Sequence, residues 1–320
     1  MRGWKTTLTM PTTWALGLLI GGWFLLGRPA AAQAIDSLHL APRDLIPIAS
    51  FADARALGAA PDDRLYVADG GRDVVVALDT LGRRRLAIGE TGTRPGEFDT
   101  PADVDPTNGL VLLVADAGNG RIQRFSGEGQ LIETLPVGRR DASTGARGRQ
   151  PTYEGGEEGR DVRTTGRPIA VASSSTDETL AIDAAAGVVR TWDTQRRPGP
   201  DIGTFDQRTG ALQAPVALAL DARDRLYVAD RGHASVRMYD RFGTYLGTLP
   251  LPSLPEVRSL MVHQHRLWVI TPRRFYVVDT RSRHLVQVGR VALDEPVVDL
   301  ALVDGTLYVL TPTRLLRRLR

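Results

Sequence analysis

Two kinds of residue in this 320-residue chain have types and spacings that could do chemistry. His263 and His265, in Met261-Val-His-Gln-His-Arg266, are the one close histidine pair. On an extended strand such an i, i+2 pair shares a face and could ligate Zn²⁺ or Cu²⁺. A third ligand is not visible in the sequence and the pair straddles an expected hairpin, so no metal is assigned to it. Carboxylates are the second kind. Asp69, Asp116, Asp183 and Asp230 each close a similar apolar run. A ring of such groups could hold a cation, but an Asp at a strand end more simply accepts hydrogen bonds from the backbone of the tight turn that follows it. Asp53, Asp103, Glu256, Glu295 and Asp299 instead fall near the heads of apolar runs, where side chains could meet at a common axis. The chain has no nucleophile elbow, phosphate-cradling glycine loop or zinc spacing, so no catalytic residue is assigned. The arginine clusters at 83–85, 139–140, 196–197, 273–274 and 317–318 are expected on solvated faces.

The elements that must position these residues repeat. Arg64-Leu-Tyr-Val-Ala-Asp69 returns as Arg225-Leu-Tyr-Val-Ala-Asp230, and looser copies end at Asp116, Asp183, Thr271 and Thr311. A period of about 40–47 residues built from short β-rich units is the signature of a propeller. Pro215 to Leu249 shows the frame best, as four apolar runs divided by the turns Asp221-Ala-Arg-Asp224, Arg231-Gly-His-Ala234 and Arg241-Phe-Gly-Thr244. The second run is apolar on both faces, as burial between two neighbouring sheets requires. Six copies predict an all-β, six-bladed propeller of four-stranded antiparallel blades. The sixth copy ends after three strands, while Asp44-Leu-Ile-Pro-Ile-Ala49 is a spare apolar segment near the other end. Pairing the two would close the ring and remove its open edges, with Pro47 tolerated on an outermost strand.

Residues 1–34 carry a basic start at Arg2 and Lys5, an apolar stretch from Trp14 to Leu26 and then small residues. That pattern predicts a secretory signal cleaved after Ala34, leaving a domain over 35–320 in the periplasm or outside the cell with no membrane span. The chain has no cysteine, so stability must come from the core rather than from disulfides. Removing Arg2, Lys5 and Arg28 leaves 37 basic and 37 acidic side chains. Such a balance argues against a nucleic-acid or anionic-membrane binder. From Gly138 to Gly166 the chain is almost free of apolar residues and is expected to be a disordered insertion on the face of the Asp-ended turns.

Val114-Ala-Asp-Ala-Gly-Asn-Gly-Arg-Ile-Gln-Arg-Phe125 resembles the core of an NHL repeat, as does Val228-Ala-Asp-Arg-Gly-His-Ala-Ser-Val-Arg-Met-Tyr239. The resemblance implies an NHL-like six-bladed propeller. Single Gly-His and Trp-Asp pairs in different repeats do not make a WD-type array. An exported, non-enzymatic module is therefore expected, recognising a protein, peptide or glycan through its turn-rich face, with Arg139, Arg140, Tyr153, Asn119 and His233 as ligand-face residues. No cofactor is required by that reading. Calcium-dependent lactonases and a peptide-amidating lyase are similar six-bladed propellers, and they imply the alternative: a metal-dependent hydrolase or lyase with Ca²⁺ at the axis. The acids for it would be Asp103, Glu256, Glu295 and Asp299.

Overall fold

The computed structural model describes residues 36–138, 166–252, 254 and 256–319. These belong to one compact unit, Ile35–Arg320. The expected signal segment, and Arg139, Arg140 and Tyr153 of the expected insertion, lie outside the described residues.

Six sheets form a ring. Their innermost strands are Ala54–Ala59, Pro101–Asp105, Pro168–Ser173, Pro215–Leu220, Ser259–His263 and Asp299–Val303. Each touches the next, and the last touches the first. The second strands are the repeated apolar runs, and Leu65–Asp69, Thr179–Asp183 and Leu226–Asp230 are buried at every position. One face of each meets the preceding blade and the other the following blade, so the cores form between sheets. Leu57, Leu65 and Val67 of blade one, for example, pack with Tyr308, Leu310 and Leu315 of blade six.

The ring closes as the sequence predicts. Leu45–Ser50 is the outer strand of blade six, pairing antiparallel with Arg314–Arg318 from Leu45 opposite Arg318 to Ser50 opposite Arg314. A bulge falls between Pro47 and Ala49, where an edge strand loses a backbone donor at little cost.

Two blades depart from the four-stranded expectation. Blade three has three strands, and its outer edge carries only isolated bridges from Val189 to Ile202 and from Trp192 to Pro198. Pro198 and Pro200 lack the N–H groups that a regular ladder needs. Blade five has a fifth strand, Asp36–Leu40, running parallel to Leu285–Val291. The N-terminal part of the unit thus straps both blades that flank the last junction.

The recurrent aspartates serve the turns. Asp69 accepts from the backbone N–H groups of Ala52, Asp53 and Gly71, and Asp230 from those of Gln213, Ala214 and Gly232. Asp116 accepts from the Asp99 N–H and Asp183 from those of Arg167 and Ala185. Each carboxylate ties the loop entering its blade to the hairpin between the second and third strands. That double use explains why the residue returns in blades one to four.

Candidate functional site

An innermost strand has a partner on one side only, so its other edge leaves backbone N–H groups that need acceptors. The six such edges surround a central cavity of about 680 Å³, lined by residues of every blade. Equivalent register positions place one side chain per blade in a single layer: Ala56, Asp103, Ala170, Ala217, Ser259 and Asp299. Four of these are small and two are acids.

Both acids reach sideways to the next blade. Asp103 Oδ2 accepts from the Val171 N–H at 2.8 Å and its Oδ1 from the Val104 N–H at 2.9 Å. Asp299 Oδ2 accepts from the Leu57 N–H at 2.9 Å and its Oδ1 from the Leu300 N–H at 2.8 Å. Asp105 repeats the device one step along, accepting from the Ser173 N–H at 2.5 Å. These carboxylates thus join the inner edge of blade two to blade three and that of blade six to blade one. Burial raises all three above the ordinary carboxylate range, Asp299 to about 6. For Asp103 the nearby Asp299 and Asp105 charges add to the desolvation.

The cavity mouth lies at the turns between first and second strands. Asn108 Nδ2 donates to Ser173 Oγ at 2.9 Å, and Ser175 donates through N and Oγ to Asp224 at 2.8 and 2.6 Å. Asp177, also at the mouth, is held by two arginines. The Arg124 guanidinium, 1% exposed, forks onto both Asp177 oxygens and reaches Thr179 Oγ1. Its Nε lies 2.8 Å from Glu133 Oε1 as an ion pair. Arg196 contacts the same two acids, at 2.5 Å to Asp177 and 2.8 Å to Glu133. Burial alone would raise the Asp177 carboxyl, but hydrogen bonds from Arg196 and Arg124 hold it below its usual value.

Asp103 and Asp299 are therefore the two predicted axial acids that the fold brings to one layer. Glu256 is exposed and outside the cavity lining. Glu295 is turned to Thr313 and Arg314, accepting from Thr313 Oγ1 at 2.6 Å and pairing with Arg314 at 3.1 Å. Asp53 pairs with Arg55 at 2.7 Å. Asn119 donates to Asp116 and to the Gly92 carbonyl, and His233 Nδ1 lies 2.6 Å from Asp230 Oδ2, so both expected ligand-face residues serve their own turns. His263 lines the cavity, whereas His265 lies beyond the tight turn at Gln264, with its Nε2 2.5 Å from Arg281. That turn, with φ of 56° at Gln264, removes the shared face that the histidine pair needs.

Among the described residues no three His, Asp or Glu side chains are grouped so as to hold a metal ion. Ca²⁺ takes about six to eight oxygens. The axial layer offers two carboxylates, each with both oxygens already accepting an N–H, one serine and three alanines, a donor set that does not fit it. The signal for Asp105 was present in the sequence, since Pro101-Ala-Asp-Val-Asp105 puts two acids on one strand face. The Arg124–Asp177–Arg196–Glu133 cluster left none, because its members come from four separate runs.

No known family profile matches the chain. Solved structures do. A streptogramin B lyase structure aligns with a TM-score of 0.57 and 10% identity over 85% of this chain and 96% of that one. A catalytically inactive variant of virginiamycin B lyase from Staphylococcus aureus with quinupristin aligns with a TM-score of 0.54 and 10% identity, over 84% and 81%. At this identity the likeness establishes the propeller fold. Among the described residues no helix is long and apolar enough to cross a membrane.

Proposed function

We propose that the chain is an exported, NHL-like propeller that acts as a non-enzymatic binding module for a protein, peptide or glycan, with the axial cavity as the seat of the ligand. The observation that carries this reading is the commitment of the cavity's carboxylates to neighbouring backbone amides. It makes a preformed hollow whose walls mix apolar side chains with fixed polar groups that could orient a ligand. The site thereby moves from the turn-rich face, where Asn119 and His233 are spent on local structure, to the axis and the opposite mouth.

The test is a panel of peptides and saccharides titrated calorimetrically into the protein and into Ala102→Tyr. Ala102 is half-buried and lines the cavity, so a tyrosine there fills the hollow. Binding that the substitution abolishes, at unchanged melting temperature, supports the reading, and binding that survives it counts against the axial seat.

A lyase or hydrolase working at the axis is the second reading. It is favoured by the fold-level likeness to the two lyases and by Asp299, whose carboxyl near pH 6 is matched to proton transfer close to neutrality. Chromatography of quinupristin after incubation with the protein decides it: consumption that Asp299→Asn abolishes would promote this reading over the first.

A further inference from the structure

The axial cavity has two unlike ends. Its mouth at the turns between first and second strands carries Asp177, Asp221 and Asp224 among polar side chains. The other end is made by the heads of the inner strands. There the residue one step before the layer of Asp103 and Asp299 is Arg55, Ala102, Ile169, Val216, Arg258 and Val298 in blades one to six. In blades one to four it falls at the bulge that opens the strand. All but Val298 line the cavity, and the two arginines are exposed. Blades five and one both touch blade six, so Arg258 and Arg55 stand on either side of one strand head.

The two arginines differ in what already holds them. Arg55 gives Nε and Nη2 to Asp53 Oδ2, at 3.0 and 2.7 Å. Arg258 donates its backbone N–H to the Ile270 carbonyl, but among the described residues its guanidinium has no hydrogen bond and no carboxylate at ion-pair distance. The acids around it are turned elsewhere. Glu256 is exposed outside the cavity lining, Glu295 is held by Thr313 and Arg314, and Asp103 and Asp299 have both oxygens on backbone amides. A planar cation with five donors, beside Ala102, Ile169 and Val216, matches a carboxylate on a small apolar body. At the far mouth Asp177 and Asp221 are neutralised by arginines, whereas Asp224 accepts from the N–H and Oγ of Ser175 and has no cation at ion-pair distance among the described residues. Its remaining lone pairs match an ammonium group. A peptide has this polarity, with an anion at one end and an amine at the other. The inner strands are five or six residues long, so an extended peptide of about four spans the distance.

We propose that the axial cavity takes a short peptide lengthwise, its free C-terminal carboxylate on Arg258, with Arg55 beside it, and its amine toward Asp224. This rests on the axial seat proposed above and adds the ligand's class and direction. The whole protein is dialysed to equilibrium against random tetrapeptides, made once with free carboxylates and once as C-terminal amides, and mass spectrometry reads the enrichment of each sequence. Free acids should be enriched about tenfold or more over their amides. Arg258→Gln, at unchanged melting temperature, should bring that ratio to about one, and Arg83→Gln on an outer turn should leave it intact. N-acetylation of the best sequence should weaken it about threefold. Acid and amide enriched alike, with both lost in Ala102→Tyr, would leave the axial seat standing and overturn the carboxylate assignment. An acid preference that survives Arg258→Gln, or no enrichment of any tetrapeptide, overturns it too, even where a saccharide binds the cavity. A preference that survives Ala102→Tyr overturns the axial seat as well, and an N-acetyl form that binds equally well overturns the direction.

Discussion

Arg124 and Arg196 share two acids, and that sharing makes a quantitative prediction. Replacing Arg124 by methionine removes a fork onto Asp177, the Thr179 contact and the ion pair to Glu133. Both carboxylates then still face Arg196, so the loss resembles that of charged hydrogen bonds rather than of an isolated buried pair. It should cost about 2 kcal/mol. Arg196→Met leaves both acids to Arg124 and should cost about 1 kcal/mol, since Arg196 is the more exposed of the two. In the double variant the acids lose both cations at once. Their side chains are 31% and 32% exposed, so water offsets part of the penalty, and the remaining coupling should be about 1 kcal/mol beyond the sum. Urea unfolding of the parent, the two single variants and the double variant, read as midpoints at constant slope, measures it. Additivity within about 0.3 kcal/mol would refute the reasoning, because it would mean that each arginine acts alone.

Three further expectations follow from the same geometry. Asp299 is protonated below the unfolded value of about 4 in both states, while between pH 4 and its folded value of about 6 only the unfolded chain releases the proton. Its contribution is therefore fully present at low pH and lost as pH rises to 6, by roughly 3 kcal/mol. Asp299→Asn should flatten that part of the stability profile, and an unchanged profile by urea unfolding at pH 4.5 and 7 would rule this out. Gly289→Ala should destabilise by about 2–3 kcal/mol, because the new carbon would lie 1.9 Å from Phe275 Cζ in a fully buried ring. Adding Phe275→Leu should recover part of that loss, and calorimetry showing no recovery would place the cost elsewhere. Hydrogen exchange should find the paired amides of Leu45–Ser50 as protected as those of Arg314–Arg318, since they form one ladder. Fast exchange confined to 45–50 would mean that the ring opens at this strand.

What could be read from sequence followed the range of the interactions involved. The repeated second strand, the turn-capping role of Asp69, Asp116, Asp183 and Asp230, and the closing strand were legible because each rests on local pattern or on a missing partner. Asp36–Leu40 was not, since five residues with two leucines acquire a parallel partner only through the tertiary placement of Leu285–Val291. Blade three's missing strand had a visible cause in Pro198 and Pro200, but the repeat argued for a regular copy. At the axis, Asp103 and Asp299 were named on the same ground as Glu256 and Glu295. Glu256 and Glu295 lie in the loops that enter blades five and six, before the inner strands begin at Ser259 and Asp299, and the sequence pattern marks such a strand start too loosely to separate a loop acid from a strand acid.

The closing strand also sets an order of events during synthesis. Leu45–Ser50 leaves the ribosome before any blade is complete, yet its partner Arg314–Arg318 follows only after all the other blades have been made. Until that partner is made the apolar residues of 45–50 must wait unpaired, and blade one must stand with the face meant for blade six exposed. A chain cut short before residue 314 is accordingly a ring with a gap, with two sheet edges ready to pair with other molecules. Closure of the ring is thus tied to the moment at which Arg314–Arg318 becomes available to its partner.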